Sequence, residues 1–249
     1  MNVLSFVNQK GGCAKTASAA ALIAGLRIDG RRVLAIDIDP QGDLTAQMNA
    51  TSQPGKNLFD VVTGKARIDQ AIQETSQGPL IASDSRLASK GLLSDNYGAF
   101  ALVKPLEALS KRFDVIVIDT PPNIGTLSVT AMTASNSIII PAVPDRHSID
   151  AIRQTAASIE AIRKSTNKGL KIMGVLPTMF QSRFTVHRVQ MRQLSQIAAA
   201  MGVHVFAPVR YCAVVQEAEF MNHSVFEARK GNPAALDYRA FVDDVEKRL

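Results

Sequence analysis

A single α/β domain spanning residues 1–249, built on a mostly parallel twisted sheet with helices on both faces, is what this sequence predicts. Three observations carry that prediction. Apolar, β-branched runs recur along the chain, helical patterns lie between most of them, and the polar residues suited to phosphate and metal chemistry stand just after the runs. Strands that are apolar throughout are buried on both faces, as in a parallel sheet covered by helices. Ligands of such sheets sit at the carboxyl ends of the strands.

The first strand is VLSFVN (3–8), an apolar run bounded by turn residues. NQKGGCAKTA follows over 8–17, and then ASAAALIAGLRIDG, whose alanines and leucines favour helix and whose Gly30 stands where a C-terminal cap belongs. RRVLAIDID (31–39) and PLIAS (79–83) are the next strands. A helical pattern over 98–112 precedes FDVIVIDT (113–120) and NSIIIPAV (136–143). Helices are expected over 148–165, 185–201 and 233–248, with strands LKIMGVLPT (170–178) and VHVFAPV (203–209) among them. No internal repeat, low-complexity segment or linker suggests a second domain.

Strand, Gly-Gly turn, Lys-Thr and helix is the arrangement that aims a helix N-terminus at an anion. The phosphate-binding pattern G-x-x-x-x-G-K-[ST] is matched at Lys15 and Thr16, but its two glycine positions hold Gln9 and Ala14. Further along, AIDIDPQGDLT places Asp37 and Asp39 at one strand end and VIVIDTPPN places Asp119 at another. Hard oxygen ligands at strand ends are what a magnesium–nucleotide site needs. Any one of these acids alone could cap a helix or open a turn. Three on two strands, with a Lys-Thr loop on a third, argue for a site.

Bulk properties exclude several classes. No run of 18 apolar residues exists, and no basic leader precedes the first strand, so the chain reads as cytoplasmic. Cys13 and Cys212 lie far apart without a C-x-x-C, leaving no disulfide framework and no zinc or iron–sulfur set within one chain. The net charge of +6 is unevenly spread. Between Ala161 and Gln216 there is no Asp or Glu and there are eight Lys or Arg, whereas the rest of the chain has 20 Lys or Arg against 22 Asp or Glu. Such asymmetry points to a polyanionic partner. Arg188 and Arg192, four apart, share one face of the 185–201 helix, with Arg183 just before it and Arg210 at the end of the segment.

KGGxxKT, DxDPQGxLT and hhhhDTPP, in this order and spacing, resemble the ParA branch of the ParA/MinD deviant Walker ATPases. The resemblance extends through NLFDVVTG, LIASDSRLAS, AMTASNSIIIP, GVLPTMFQSR and GNPAALDYRAFVDDV, so it covers essentially the whole chain. It implies a deviant P-loop NTPase whose cofactors are ATP and Mg²⁺. Lys10, Gly11, Gly12, Cys13, Ala14, Lys15, Thr16 and Ala17 would form the nucleotide loop, with Lys15 bridging β and γ oxygens. Thr16, with Asp37 and Asp119 acting directly or through water, would hold the metal. Asp39 would position the attacking water, Lys10 would reach the partner subunit's ATP, and adenine would lie near Met179 and Pro208. The implied partners are a second copy in the ATP state, nonspecific DNA contacted by Arg183, Arg188, Arg192 and Arg210, and a ParB-like or other adaptor that stimulates slow hydrolysis. The ATP-bound form would associate with the nucleoid.

Two departures from the resemblance bear on chemistry. Where such loops usually read GKTT, this one reads AKTA. Ala14 costs about 1 to 2 kcal/mol if its φ is positive, and Ala17 forgoes a hydroxyl hydrogen bond worth about 0.5 to 1.5 kcal/mol. ATP binding is expected to survive. Three other readings stay open: a MinD-like membrane switch, an iron–sulfur reductase and a nucleotide-gated scaffold with little turnover. The first is disfavoured by a terminal DYRAFVDDVEKRL with as many acids as bases, the second by a cysteine inside the loop. No stable membrane association is therefore expected. Since the chain starts almost at the first strand, no N-terminal helix-turn-helix domain is expected either.

Overall fold

The computed structural model describes residues 1–93, 98–228 and 231–249. β1 (Asn2–Phe6) runs into the nucleotide loop and α1 (Lys15–Ile28), and β2 (Val33–Asp37) follows. Three short helices, α2 (Asp43–Gln47), α3 (Leu58–Val62) and α4 (Ile68–Ala71), lead to the hairpin β3 (Ile72–Thr75) and β4 (Gly78–Ile81). Next come α5 (Val103–Glu107), β5 (Val115–Asp119), α6 (Thr126–Ala134), β6 (Ser137–Ala142), α7 (Arg146–Ser165), β7 (Lys171–Pro177) and α8 (Thr185–Ala200). The chain ends with α9 (Ala213–Phe220), α10 (Val225–Ala228) and α11 (Pro233–Glu246).

One seven-stranded sheet results, in the order β3-β4-β2-β5-β1-β6-β7, parallel except for β3 against β4. Its strands alternate as their apolar sequences require. Leu4, Phe6, Val33, Ala35, Val115 and Val117 face a core closed by α1 and α11, while Leu34, Ile36, Ile116 and Ile118 face the opposite core with α3 to α6. Ile138 and Ile140 continue that second face under α7 and α8. Each buried Leu or Ile side chain contributes roughly 1.5 to 3 kcal/mol. α1 and α11 approach closely at Gly25, where an added Cβ would lie 2.6 Å from Val242 Cγ2. At the end of α1, Gly30 adopts φ 83°, donating to the Arg27 carbonyl while Arg31 N donates to that of Leu26. That is the glycine stop expected from sequence.

Two sequence expectations are corrected, and one strand is added to them. Residues 203–209 are not a strand: Val205 makes a single bridge to Val175, and Pro208, lacking an N–H, cannot continue a ladder. The 98–112 pattern is a 3₁₀ turn at Gly98–Phe100, then the short α5 with Pro105 within it, then turns. The antiparallel β3, IQET, was not expected, because its half-exposed residues carry no apolar run.

Candidate functional site

The register of the central strands builds the site. Asp37 and Asp119 end neighbouring parallel strands as direct partners, and Phe6, the last residue of β1 before the loop, is Asp119's partner on its other side. The two carboxylates and the nucleotide loop therefore share one edge, the carboxyl end of the sheet. A cavity of about 630 Å³ opens there, lined by residues 11–17 of the loop, by Asp39, Asp43 and Gln47, and by parts of α9 and α11.

The loop's shape answers the question raised by its spelling. Ala14 precedes α1 with φ 58° and ψ 39°, a left-handed backbone, and its carbonyl accepts from Ser18 N at 3.0 Å to start the helix. Gly12 is also left-handed, at φ 66°, and a Cβ there would meet nothing within 4 Å. Glycine is therefore the unstrained residue at both positions. Cys13 is buried at 1% exposure, its thiol directed to the Lys10 carbonyl at 3.2 Å and its own carbonyl accepting from Thr178 Oγ1 at 3.0 Å. Burial pushes that thiol's pKa up, which disfavours the thiolate.

The carboxylates differ in what they have left to offer. Asp37 Oδ2 accepts from Thr45 N at 2.8 Å and Thr45 Oγ1 at 2.7 Å, and its Oδ1 accepts from Asp39 N at 3.1 Å. Asp37 thus ties the 39–45 loop to its strand. Asp119 Oδ2 accepts from Thr16 Oγ1 at 2.6 Å, but its Oδ1 is buried and has no hydrogen-bond partner. A buried carboxylate oxygen left without a donor is expensive, and a cation beside Thr16 would satisfy it. These residues fit a hard divalent ion. Burial pushes Asp37 up to about 7 and Asp119 up to about 8, the latter also raised by the charge of Asp37.

Lys15 is only 7% exposed, with its Nζ 3.5 Å from the Lys10 carbonyl at the limit of a hydrogen bond. Asp39, 9% exposed, accepts from Gln41 N at 3.0 Å, while its backbone carbonyl accepts from Ser83 Oγ. Lys10 extends across to β6 and α7: its Nζ is ion-paired with Asp145 and lies 3.3 Å from Ser148 Oγ. Met179 lines the cavity in a left-handed conformation, φ 51°. Pro208 does not line it, but Val209 and Arg210 do.

Arg183, Arg188 and Arg192 are exposed on and just before α8. Arg188 donates to Thr185 Oγ1 and Arg183 to Gln181 Oε1, and none of the three pairs with a described carboxylate. Arg210, expected to act with them, instead grips Asp237 through both carboxylate oxygens, at 2.6 and 2.8 Å. Sequence reading missed Asp145 and Ser148, although Asp followed three residues later by Ser just before a helical pattern marks an N-cap. It also gave no role to Glu219 or to Tyr238, which lies within GNPAALDYRAFVDDV; both line the cavity, from α9 and α11. Burial pushes Tyr238 up to about 12.

Comparison with known proteins places this arrangement. The family model described as an AAA domain matches residues 1–172. Sporulation initiation inhibitor protein Soj of Bacillus subtilis is 31% identical over 186 residues, 73% of this chain and 74% of the relative. The chromosome partitioning protein ParA of Caulobacter vibrioides is 33% identical over 190 residues, 74% of this chain and 71% of the relative. Among solved structures, a cobyrinic acid a,c-diamide synthase from Mycobacterium smegmatis with a bound ATP analogue and magnesium is 30% identical. It superposes with a TM-score of 0.85, covering 100% of this chain and 95% of that one. Likeness of this extent, to partitioning proteins in sequence and to a nucleotide- and magnesium-bound structure in shape, makes the chain a member of the ParA/Soj family of partitioning ATPases, a magnesium-dependent ATP hydrolase.

Proposed function

We propose that residues 1–249 act as one ATPase unit that dimerises around ATP, binds DNA without sequence preference in that state, and is released by slow, adaptor-stimulated hydrolysis. The observation that carries this reading is the set Arg183, Arg188 and Arg192 on and just before α8, exposed and without a carboxylate partner among the described residues, within a 56-residue stretch without acids. Phosphate contacts made by such cations fix affinity but read no bases.

In this mechanism the amides from Gly11 to Thr16 cradle the β and γ phosphates, and Lys15 draws charge from the oxygens between them. Thr16 and the unpartnered oxygen of Asp119 would hold the metal, and Asp37 keeps the 39–45 loop in place. Mg²⁺, when bound, neutralises the phosphate charge that develops as the γ-phosphoryl group departs. Asp39 orients the attacking water. Lys10 exchanges its ion pair with Asp145 for the phosphates of the partner's nucleotide, so ATP becomes part of the dimer interface. α11 supports the DNA reading over a membrane one: its Tyr238, Phe241, Val242 and Val245 are buried against the core, and Leu236 is its one large hydrophobic residue among those exposed.

The test is fluorescence anisotropy with random-sequence duplexes across a salt series, in ATP and in ADP. ATP should switch binding on, with log affinity falling by about 0.9 per phosphate neutralised for each unit of log salt. Arg188→Glu with Arg192→Glu should lower both the affinity and the slope while light scattering still detects the ATP dimer. Equal affinity in ADP and ATP would remove the switch. An unchanged slope in the double variant would move the DNA surface off α8.

A further inference from the structure

The arginines of α8 stand on a half-helix with little hold on the body of the protein. None of residues 185–193 is buried, and the first α8 side chains to enter the core are Leu194 and Ala198. Phe184, Val186 and Val189 are exposed as well. A segment with so few buried apolar contacts belongs to the low-stability end of a fold, where a second placement costs little. Its side-chain hydrogen bonds and ring contacts to the rest of the described chain run through His187. Nδ1 of that ring accepts from Gln181 N at 3.1 Å, and the ring lies 6.2 Å from that of Phe180 and 5.7 Å from that of Phe184, edge-on to the latter.

The residues that His187 grips lead straight to the nucleotide loop. β7 ends at Pro177, and Thr178 Oγ1 then donates to the Cys13 carbonyl at 3.0 Å. Met179 lines the cavity with a left-handed backbone, φ 51°, a strained state for a residue with a side chain. Phe180 is clamped between two cavity residues, its N–H donating to the Val209 carbonyl at 3.0 Å and its own carbonyl accepting from Tyr211 N at 3.0 Å. Gln181 follows, its N–H on His187 and its Oε1 accepting from Arg183 at 3.2 Å. Residues 178–181 thus form a strap from the loop to the start of α8. The loop end of the strap is tied in turn to Lys10, because the Cys13 thiol lies 3.2 Å from the Lys10 carbonyl.

We propose that His187 is the positioning residue that couples the nucleotide loop to α8, so that the move of Lys10 from Asp145 to the partner's phosphates resets the half-helix carrying Arg188 and Arg192, with Arg183 beside it. This coupling rests on the ATP-gated reading above and deepens it, supplying the step by which the state of the loop changes how the arginines are presented. ADP brings no γ-phosphate to the interface, so Lys10 stays on Asp145 and the half-helix stays in place.

The chain contains no tryptophan, so Val186→Trp on the exposed half-helix gives a single fluorescent reporter that reads its placement without DNA. Mg-ATP should shift the emission and Mg-ADP should leave it at the nucleotide-free value. His187→Ala in the same chain should abolish the ATP response while ATP binding, and the dimer detected by light scattering, are retained. In DNA anisotropy His187→Ala should reduce the ratio of affinity in ATP to affinity in ADP by about tenfold or more, a ratio that loosening the helix alike in both states would leave unchanged. His187→Asn places an amide oxygen where Nδ1 stands and should restore most of the emission shift and of that ratio. An emission shift as large in ADP as in ATP, an ATP response that survives His187→Ala, or an Asn variant no better than the Ala one would overturn the proposal. A His187-dependent shift in a protein that binds DNA in neither state would uphold the coupling and remove the DNA reading instead.

Discussion

Ala14→Gly isolates the cost of the loop's unusual spelling. Ala14 is held at φ 58° and ψ 39°, and an L-residue there costs roughly 1 to 2 kcal/mol that glycine does not. Against this, glycine gives the unfolded chain more freedom, worth about 0.4 to 1 kcal/mol. The net expectation is a gain of about 0.5 to 1 kcal/mol, or roughly 1 to 4 °C in Tm for a chain of this size. Gly12 supplies the matched reverse. It shares the left-handed conformation at φ 66°, and an added Cβ meets nothing within 4 Å, so Gly12→Ala should lose stability through backbone strain alone. Thermal melts and urea titrations of the two variants read the stability change. Titration with Mg-ATP reads a second effect, since removing the Ala14 methyl from beside the phosphates should tighten binding by up to about tenfold, equivalent to 1.4 kcal/mol. If both variants melt with the wild type, the left-handed backbone is not costing the loop anything and the reasoning fails.

Other outcomes follow from the same geometry. Asp39→Ala should still bind ATP, hydrolyse it at least about 100-fold more slowly and accumulate as a dimer; lost ATP binding in a filter or calorimetric assay would contradict the water-positioning role. Lys10→Ala should take up ATP yet remain monomeric by light scattering, and normal dimerisation would refute its reach across the interface. Burial raises Asp37 to about 7 and Asp119 to about 8, whereas both would lose their protons near pH 4 in the unfolded chain. The folded state therefore binds more protons in between, and stability in magnesium-free, nucleotide-free buffer should fall as pH rises from about 5 to about 9. A melting temperature that rises over that window would reverse the sign and refute it. Gly25→Ala places a methyl 2.6 Å from Val242 Cγ2, so overpacking of about 1 to 3 kcal/mol should outweigh a helix-propensity gain of about 1 kcal/mol. Val242→Ala in the same chain should recover part of the loss in urea, and no recovery would place the strain elsewhere.

Sequence alone determined the parallel core and the chemistry at its edge. The runs VLSFV, VLAI, VIVI and IIIPA carry apolar residues on both faces of the strand, a pattern stable only between two helical layers, and the acids that follow them and the Lys-Thr loop are local features that need no partner to be read. Long helices were legible for the same reason: α7, α8 and α11 carry enough turns for period and caps to show. What the sequence left undecided depends on contacts between distant residues. VHVFAPV has the composition of a strand, but whether it joins a ladder depends on what β7 has left to pair. The ion pair that holds Lys10 on Asp145 joins residues 135 apart, and the pairing of Arg210 with Asp237 removes a charge that counting treated as free. Charge, burial and strain at such places are properties of the assembled structure, because Coulomb and packing energies depend on separation in space and not along the chain.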